Sequence, residues 1–317
     1  MAFNNLWSLP KDGLCDLVNL RNLNVSHNHI LDALDLGLEN CEMPEFKKLD
    51  LSHNHLTTWR SGSTFSFSST LEALYLQNNR LGILADSAFA EMANLKELNL
   101  ADNLLAALPP TLFTTKMSSL KSLELQNNSL TTLTPELFSG LTGLAMLNLS
   151  QNAISSLYLD ETTFKGMVKL KILDLSHNAL TSMAMATFNH LSNLEVLDLS
   201  SNQLKVLSSD HGLRPSLKML VLSHNAIEEI QQHALDQVVQ LKSLSLDHNK
   251  IRSVPKQTFV NNVNLEDLSF NSNQLSQVPE SLKFLPNLRT LDLDENVIED
   301  INKPNVLNNL KNLYGLR

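Results

Sequence analysis

"KLDLSHNHL", Lys48 to Leu56, alternates apolar and polar residues like a short strand and then breaks into turn chemistry. Nearly the same words return as "ILDLSHNAL" (172–180), "VLDLSSNQL" (196–204) and "MLVLSHNAI" (219–227). Aligned on Leu-x-x-Leu-x-Leu-x-x-Asn-x-Leu, the chain holds twelve complete copies. Their first positions are Leu20, Phe46, Leu71, Leu95, Leu120, Leu144, Leu170, Leu194, Leu217, Leu241, Leu265 and Leu288. Spacings of 23 to 26 residues mean one stacked array rather than a string of ordinary domains. A further copy starts at Leu313, and "NNLWSLP" reads as the tail of another. The expectation is therefore a single repeat domain over residues 1–317, uncapped at both ends, whose exposed apolar edges lower its stability.

The wording of each copy follows from packing. Leu at positions 1, 4 and 6 makes a short strand with one inward face. Strands of successive copies pair in parallel about 4.8 Å apart, giving the concave face of a horseshoe. The fold class is an α/β solenoid, with irregular or short helical segments on the convex side. Position 9 is Asn in all twelve copies, from Asn28 to Asn296. A buried carboxamide both donates and accepts, so this row reads as backbone support where the chain turns inward. Six or seven residues before the next copy, Phe65, Phe89, Phe113, Phe138, Phe164, Phe188 and Phe259 recur, with Leu14, Leu235 and Leu282 in their place elsewhere. That stripe reads as a packed convex spine rather than a cofactor site.

Composition narrows the function classes. Hydrophobic residues at 43% support a core, while aromatics at 5% leave its packing to Leu, Ile and Val. A net charge of −9 argues against general affinity for nucleic acid or anionic membranes. No stretch has the roughly 18 apolar residues of a membrane span, and "MAFNNLWSLPKDG" lacks the blocks of a signal peptide. No phosphate loop, Cys-x-x-Cys, His-Glu-x-x-His or nucleophile elbow occurs, so no catalytic residues, cofactor or metal are expected and the chain reads as a non-enzyme. His27, His53, His177, His224 and His248 all stand at position 8. With Asp50 or Asp247 beside an adjacent pair, zinc is one reading, but zinc takes three or four ligands. Solvated turn histidines are the preferred reading, and a pH-sensitive surface is a third.

Positions 3, 5, 7 and 8 face outward on the concave side. They carry Asp50, Glu97, Asp102, Glu124, Asp174, Asp198, Asp247, Asp267, Asp292, Asp294 and Glu295 against one base, Lys48. Position 2 is mostly basic: Arg21, Lys47, Lys96, Lys121, Lys171, Lys218, Lys242 and Arg289. Such an acidic floor either keeps a long surface soluble or steers a basic partner. It repels a phosphate backbone. The non-consensus residues there, Tyr75, Glu97, Asn99, Asp102 and Glu124, are the candidate ligand-binding set, Tyr75 being the only aromatic at position 5.

Cys15 and Cys41 each precede a first position by five residues, so they occupy equivalent places in adjacent turns. Neighbouring turns bring such positions within disulfide range, which implies an oxidising compartment; two buried free thiols are the alternative. Sequons stand at Asn24, Asn127 and Asn148, although "LNLS" also arises from repeat wording. Two connections depart from the pattern. "TTWRSGSTFSFSST" (57–70) sets Arg60 beside Trp59, and "KVLSSDHGLRPS" (205–216) lacks the Phe. Irregular loops on repeat scaffolds carry recognition or are tolerated variation.

Words such as "NLLAALPPTLF" (103–113) match the typical extracellular leucine-rich repeat. More narrowly, "LWSLPKDGLCDLVNLRNLNVSHNHI" (6–30) and "LPNLRTLDLDENVIEDINKPNVLNNLKNLYGLR" (285–317) resemble the ectodomains of insect Toll receptors, especially the long group. The resemblance implies an internal piece of a plasma-membrane receptor's extracellular side. Such receptors bind Spätzle-like cystine-knot cytokines or related receptors, in immunity or tissue patterning. An adhesion or matrix module making homophilic or heterophilic contacts is the competing reading.

Overall fold

The computed structural model describes residues 1–59, 65–183, 186–300 and 306–317. Arg60 of the serine-rich connection and residues 301–305 of the C-terminal stretch lie outside them. The chain divides into two compact units, one of residues 1–153 with 162–170, the other of residues 154–161 with 171–317. Both are parallel-sheet solenoids built by the same rule.

In the first unit, six copies give the strands Asn22–Asn24, Lys48–Asp50, Ala73–Tyr75, Glu97–Asn99, Ser122–Glu124 and Met146–Asn148. In the second they are Ile172–Asp174, Val196–Asp198, Met219–Val221, Ser243–Ser245, Asp267–Ser269, Thr290–Asp292 and Gly315–Leu316. Pairing is in register, position 4 on position 4: Leu49 faces Leu74 and Leu197 faces Leu220. Register is held because a one-residue slip would turn every inward leucine to solvent. Leucines at positions 4 and 6, such as Leu49, Leu51, Leu123 and Leu125, are fully buried. The return segments are turns and short 3-10 helices, for example Ala33–Leu36 and Glu280–Phe284; no α-helix forms among the described residues.

The position-9 carboxamides act as the sequence predicts, and repeat one bonding scheme. Asn202 Nδ2 donates to Leu199 O (3.1 Å) and Ser200 O (3.1 Å) in its own turn and to Leu175 O (2.9 Å) in the turn before. Its Oδ1 accepts from Leu180 N at 3.0 Å. Asn54, Asn103 and Asn249 do the same in their own turns. The Leu180 N–H and the Leu175 and Leu199 carbonyls are paired in this way, the demand that buried N–H and C=O groups make, while Ser200 O also accepts from His177 N at 2.9 Å.

The residue just before each Asn adopts a left-handed conformation. At position 8, φ lies between 51° and 55° in all twelve copies, from His27 through Asn78, Asp102 and Ser201 to Glu295. Asn, Asp and His tolerate positive φ best among residues with a Cβ, and eight of the twelve are of those three types. The recurrent histidines are therefore explained first by backbone geometry.

On the return side, Phe89, Phe138, Phe164 and Phe259 are fully buried, and Phe113, Phe138 and Phe164 pack with centroids 5.9 and 6.5 Å apart. The loop that lacks a Phe fills the slot with His211, six residues before Leu217 like its counterparts and 2% exposed. Its Nε2 lies 2.7 Å from Ala234 O and its Nδ1 accepts from Leu213 N at 3.0 Å. Both contacts are met by a neutral ring protonated on Nε2. Burial holds this imidazole below its ordinary value, against smaller opposing contributions from the Ala234 carbonyl and Asp210. This connection, read as a possible recognition loop, is anchored by a packing residue.

Two stability predictions follow from these contacts. Asn202→Ala leaves Leu180 N–H unpaired and is expected to lower unfolding free energy by about 1–3 kcal/mol, measured by urea titration. For His211 the unfolded ring takes up a proton as pH falls through about 6.5, while the folded ring resists it. The stability present above that pH is therefore lost as pH falls from there toward the depressed folded value. Thermal melts from pH 7.5 to 5 should show the fall, and His211→Phe, the residue most copies carry there, should flatten it.

Candidate ligand-binding face

With positions 1, 4, 6, 9 and 11 committed to the interior, a partner meets positions 2, 3, 5, 7 and 8. Position 2 is not the free basic row that residue counting implies. Glu72 bridges Lys47 (3.3 Å) and Lys96 (2.6 Å) in the first unit. In the second, Glu195 bridges Lys171 (3.1 Å) and Lys218 (2.7 Å), and Glu266 bridges Lys242 and Arg289. The lysine hydrogen bonds come first among the causes that hold all three carboxyls below the ordinary glutamate value. Pairs this exposed add little stability; with one acid to two bases, each bridge offsets part of the positive charge along the rim of the sheet.

Position 5 is also partly committed. Asp50 Oδ1 accepts from Ser52 N at 3.0 Å and Ser52 Oγ at 2.6 Å, and Asp174 and Asp198 cap the N–H two residues on at 2.8 Å. Asn24, Asn99 and Asn148 make the same turn. These are Asx turns that end the strand. "LDLS" and "LNLS" are thus structural words, although the aspartates keep their charge.

The five candidate residues all lie in the first unit, where Asp50, Tyr75, Asn99 and Glu124 stand side by side on successive strands. Tyr75 and Glu97 are brought together: the phenol donates to Glu97 Oε2, while Lys48 Nζ reaches the phenol oxygen at 3.3 Å and sits 4.4 Å from the ring centroid. Burial first, then the Glu97 hydrogen bond and the charges of Glu97 and Asp50, push the Tyr75 hydroxyl far above its ordinary value. Asp102 belongs to a separate cluster, accepting from Asn78 Nδ2 (3.3 Å) and Asn127 Nδ2 (2.5 Å). Asn99 turns to its own backbone, accepting from Ala101 N at 2.9 Å. The face is pre-organised: an aromatic ring clamped between a cation and an anion, beside an acid held by two amides.

The second unit carries an apolar strip that a tally of charges does not reveal. Ile172 and Met219, each 40% exposed, flank Val196 at position 3 of three paired strands, with Val221 beside Asp198 at position 5. The signal was in the alignment, since these position-3 residues are apolar where Lys48 and Glu97 are charged.

A disulfide joins Cys15 and Cys41, whose Cα atoms are 4.5 Å apart. Of the sequon asparagines, Asn24 and Asn127 are exposed and Asn148 is half-buried, and Asn127 already donates its side-chain nitrogen to Asp102. Histidines of adjacent turns stack, His27 on His53 at 4.0 Å and His224 on His248 at 4.2 Å. Phe3 extends the first stack at 4.0 Å, and Trp7, His29 and His55 form a second row beside it. Burial, then the neighbouring His27, lowers His53 below the ordinary histidine value.

A leucine rich repeat model matches residues 44–105, 69–115, 93–154, 155–204, 168–227, 209–251 and 239–298. No curated protein matches the chain. Among solved structures, a leucine-rich repeat protein of Leptospira interrogans is 27% identical over 99% of this chain and 87% of its own, with a TM-score of 0.67. A chain of the Toll–Spätzle complex of Drosophila is 28% identical over 93% of this chain, with a TM-score of 0.75; the match spans 43% of that chain. A TLR13 chain solved with single-stranded RNA shares the fold at 24% identity and a TM-score of 0.75, covering 96% of this chain and 51% of that one.

The clamp around Tyr75 has a spectroscopic consequence. Alkaline ultraviolet titration of the folded protein should show the Tyr75 phenol ionising later than free tyrosine, which ionises at about pH 10. Tyr75→Phe removes that late phase, and Glu97→Gln brings it earlier.

Proposed function

This chain belongs to the leucine-rich repeat family, and on that premise we propose that it is a ligand-recognition segment from the extracellular side of a Toll-type receptor. Its partner on this reading is a protein with a basic contact surface, of the Spätzle-like cystine-knot class, in immunity or development. The proposal takes residues 1–317 as one repeat domain, as the unbroken spacing of the copies implies, and gives the chain no catalytic role. The observation that carries it is the pre-organised cluster of Tyr75 and Glu97 beside Asp102. A rigid aromatic held between Lys48 and Glu97 loses little freedom on binding, and the acidic surplus of the face draws basic residues by long-range attraction. Asn99 and Glu124 complete the set in the adjoining positions. Likeness to the Toll chain supports the receptor class, and the Cys15–Cys41 bridge agrees with an oxidising compartment. Asn24, Asn127 and Asn148 are glycan sites on this reading. The acids on the same face disfavour nucleic acid as its ligand.

A second reading, a leucine-rich repeat adhesion module, is favoured by the apolar strip of Ile172, Val196 and Met219. One experiment separates the two. Protein from a secretory host is titrated with a Spätzle-type cytokine at two salt concentrations, and its own association is followed by sedimentation. The receptor reading expects saturable binding that weakens with salt and falls at least about tenfold in the Glu97→Lys, Asp102→Lys, Glu124→Lys variant, as loss of about 1.4 kcal/mol requires. Self-association abolished by Ile172→Glu and Met219→Glu, without cytokine binding, would move the assignment to adhesion.

A further inference from the structure

We propose that His224, Asp247 and His248 form a binding site for a divalent ion of the zinc class. The site is independent of the Tyr75 face and uses side chains of two adjacent turns in the second unit. Their ligand atoms all lie within 4.8 Å of one another. The backbone brings them there: both histidines stand at position 8 with φ of 55° and 52°, and His224 N donates to Asp247 O at 3.0 Å across the turns. The rings lie face to face, 4.2 Å apart and 9° from parallel.

Tetrahedral coordination at about 2.0–2.2 Å puts ligand atoms roughly 3.3 Å apart. Because the lone pairs lie in the ring planes, the two exposed imidazoles must tilt out of their parallel stack about their side-chain bonds for both nitrogens to converge on one ion. Two imidazole nitrogens and one carboxylate form a donor set suited to zinc and its first-row neighbours, whereas magnesium and calcium require oxygen ligands. Asp247 is itself oriented by Ser223, whose Oγ donates to its Oδ1 at 2.8 Å, the outer support that metal carboxylates use. With three protein ligands, the remaining position opens to solvent and takes water or a partner's side chain.

The same stack occurs at His27 and His53 with centroids 4.0 Å apart, but position 7 of that second copy is Ser52 where the other has Asp247. Among the described residues no third ligand completes the first pair. The remaining cluster, Asp12 with Cys15 and Cys41, has both sulfurs tied in the disulfide. On this proposal the His224 pair takes an ion, whereas the His27 pair keeps the reading preferred from sequence, that of solvated turn histidines.

The test uses tag-free protein competing for zinc with a chromogenic chelator, with histidine ring signals followed by NMR. One equivalent should bind with selective shifts of the His224 and His248 ring signals. His224→Ala, His248→Ala or Asp247→Asn should each weaken binding at least about tenfold and Ser223→Ala less, in keeping with the cost of losing outer support. His53→Ala should leave it unchanged, and circular dichroism shows whether each variant is folded. Binding that survives His224→Ala with Asp247→Asn, that follows His53, or that never exceeds a general histidine background would overturn the proposal.

Discussion

A carboxamide once per turn is the constraint on which everything else in this chain depends. A strand of three residues bonds to its neighbours only briefly, and the backbone that leaves it inward would bury unpaired N–H and C=O groups. The Asn at position 9 satisfies those groups from its own side chain and ties each turn to the one before. Asn202 reaches Leu175, Leu199 and Ser200 and accepts from Leu180. An aspartate there lacks the donors and a leucine lacks both donor and acceptor, which is why the position admits no variation in twelve copies. Once the Asn is set, the residue before it must enter left-handed space, and the choice of residues at position 8 narrows to match.

That chain of necessity decides how much of the surface is available for function. Five positions of each copy face inward, position 8 is selected in part for backbone conformation, and position 5 often caps a turn. Asp174 and Asp198 hold the amides two residues on, so their recurrence says more about how strands end than about what binds. Charge at position 2 is partly offset between neighbouring turns, as Glu72, Glu195 and Glu266, each shared by two bases, demonstrate. What is left for specificity are departures from the wording: Tyr75 where most copies place Asn, Asp or Ser, Ile172 and Met219 where Lys48, Glu97 and Asp267 place charge, Asp247 where six copies place Ser.

The solenoid, the strand positions, the Asn row and the phenylalanine spine could all be read from the sequence, because each is a periodic demand and periodicity survives without coordinates. The missed features are relations between copies. His211 escapes a pattern defined by Phe, because a different residue type takes the place six residues before Leu217. The bridges through Glu72, Glu195 and Glu266 depend on the order of position-2 residues along the stack, which a sum of charges does not carry. The linkage of Lys48, Tyr75 and Glu97 was beyond sequence reasoning. It depends on side-chain reach across three strands, with Lys48 in one turn, Tyr75 in the next and Glu97 in the one after.

Stacking explains why neighbours in this fold act as sites more readily than their spacing in the chain implies. Residues about 24 apart in sequence sit one strand apart in space, so a residue at one position of one copy meets its equivalent in the next at about 5 Å. Two equivalent histidines then pack ring on ring whatever else is present, as His27 and His53 do. A third group of the right chemistry at the adjoining position converts the same pair into a convergent donor set. His224 and His248 differ from the first pair in having Asp247 between them along the chain path. A single substitution at position 7 therefore separates a structural stack from a candidate coordination site, without any change in the fold that presents it.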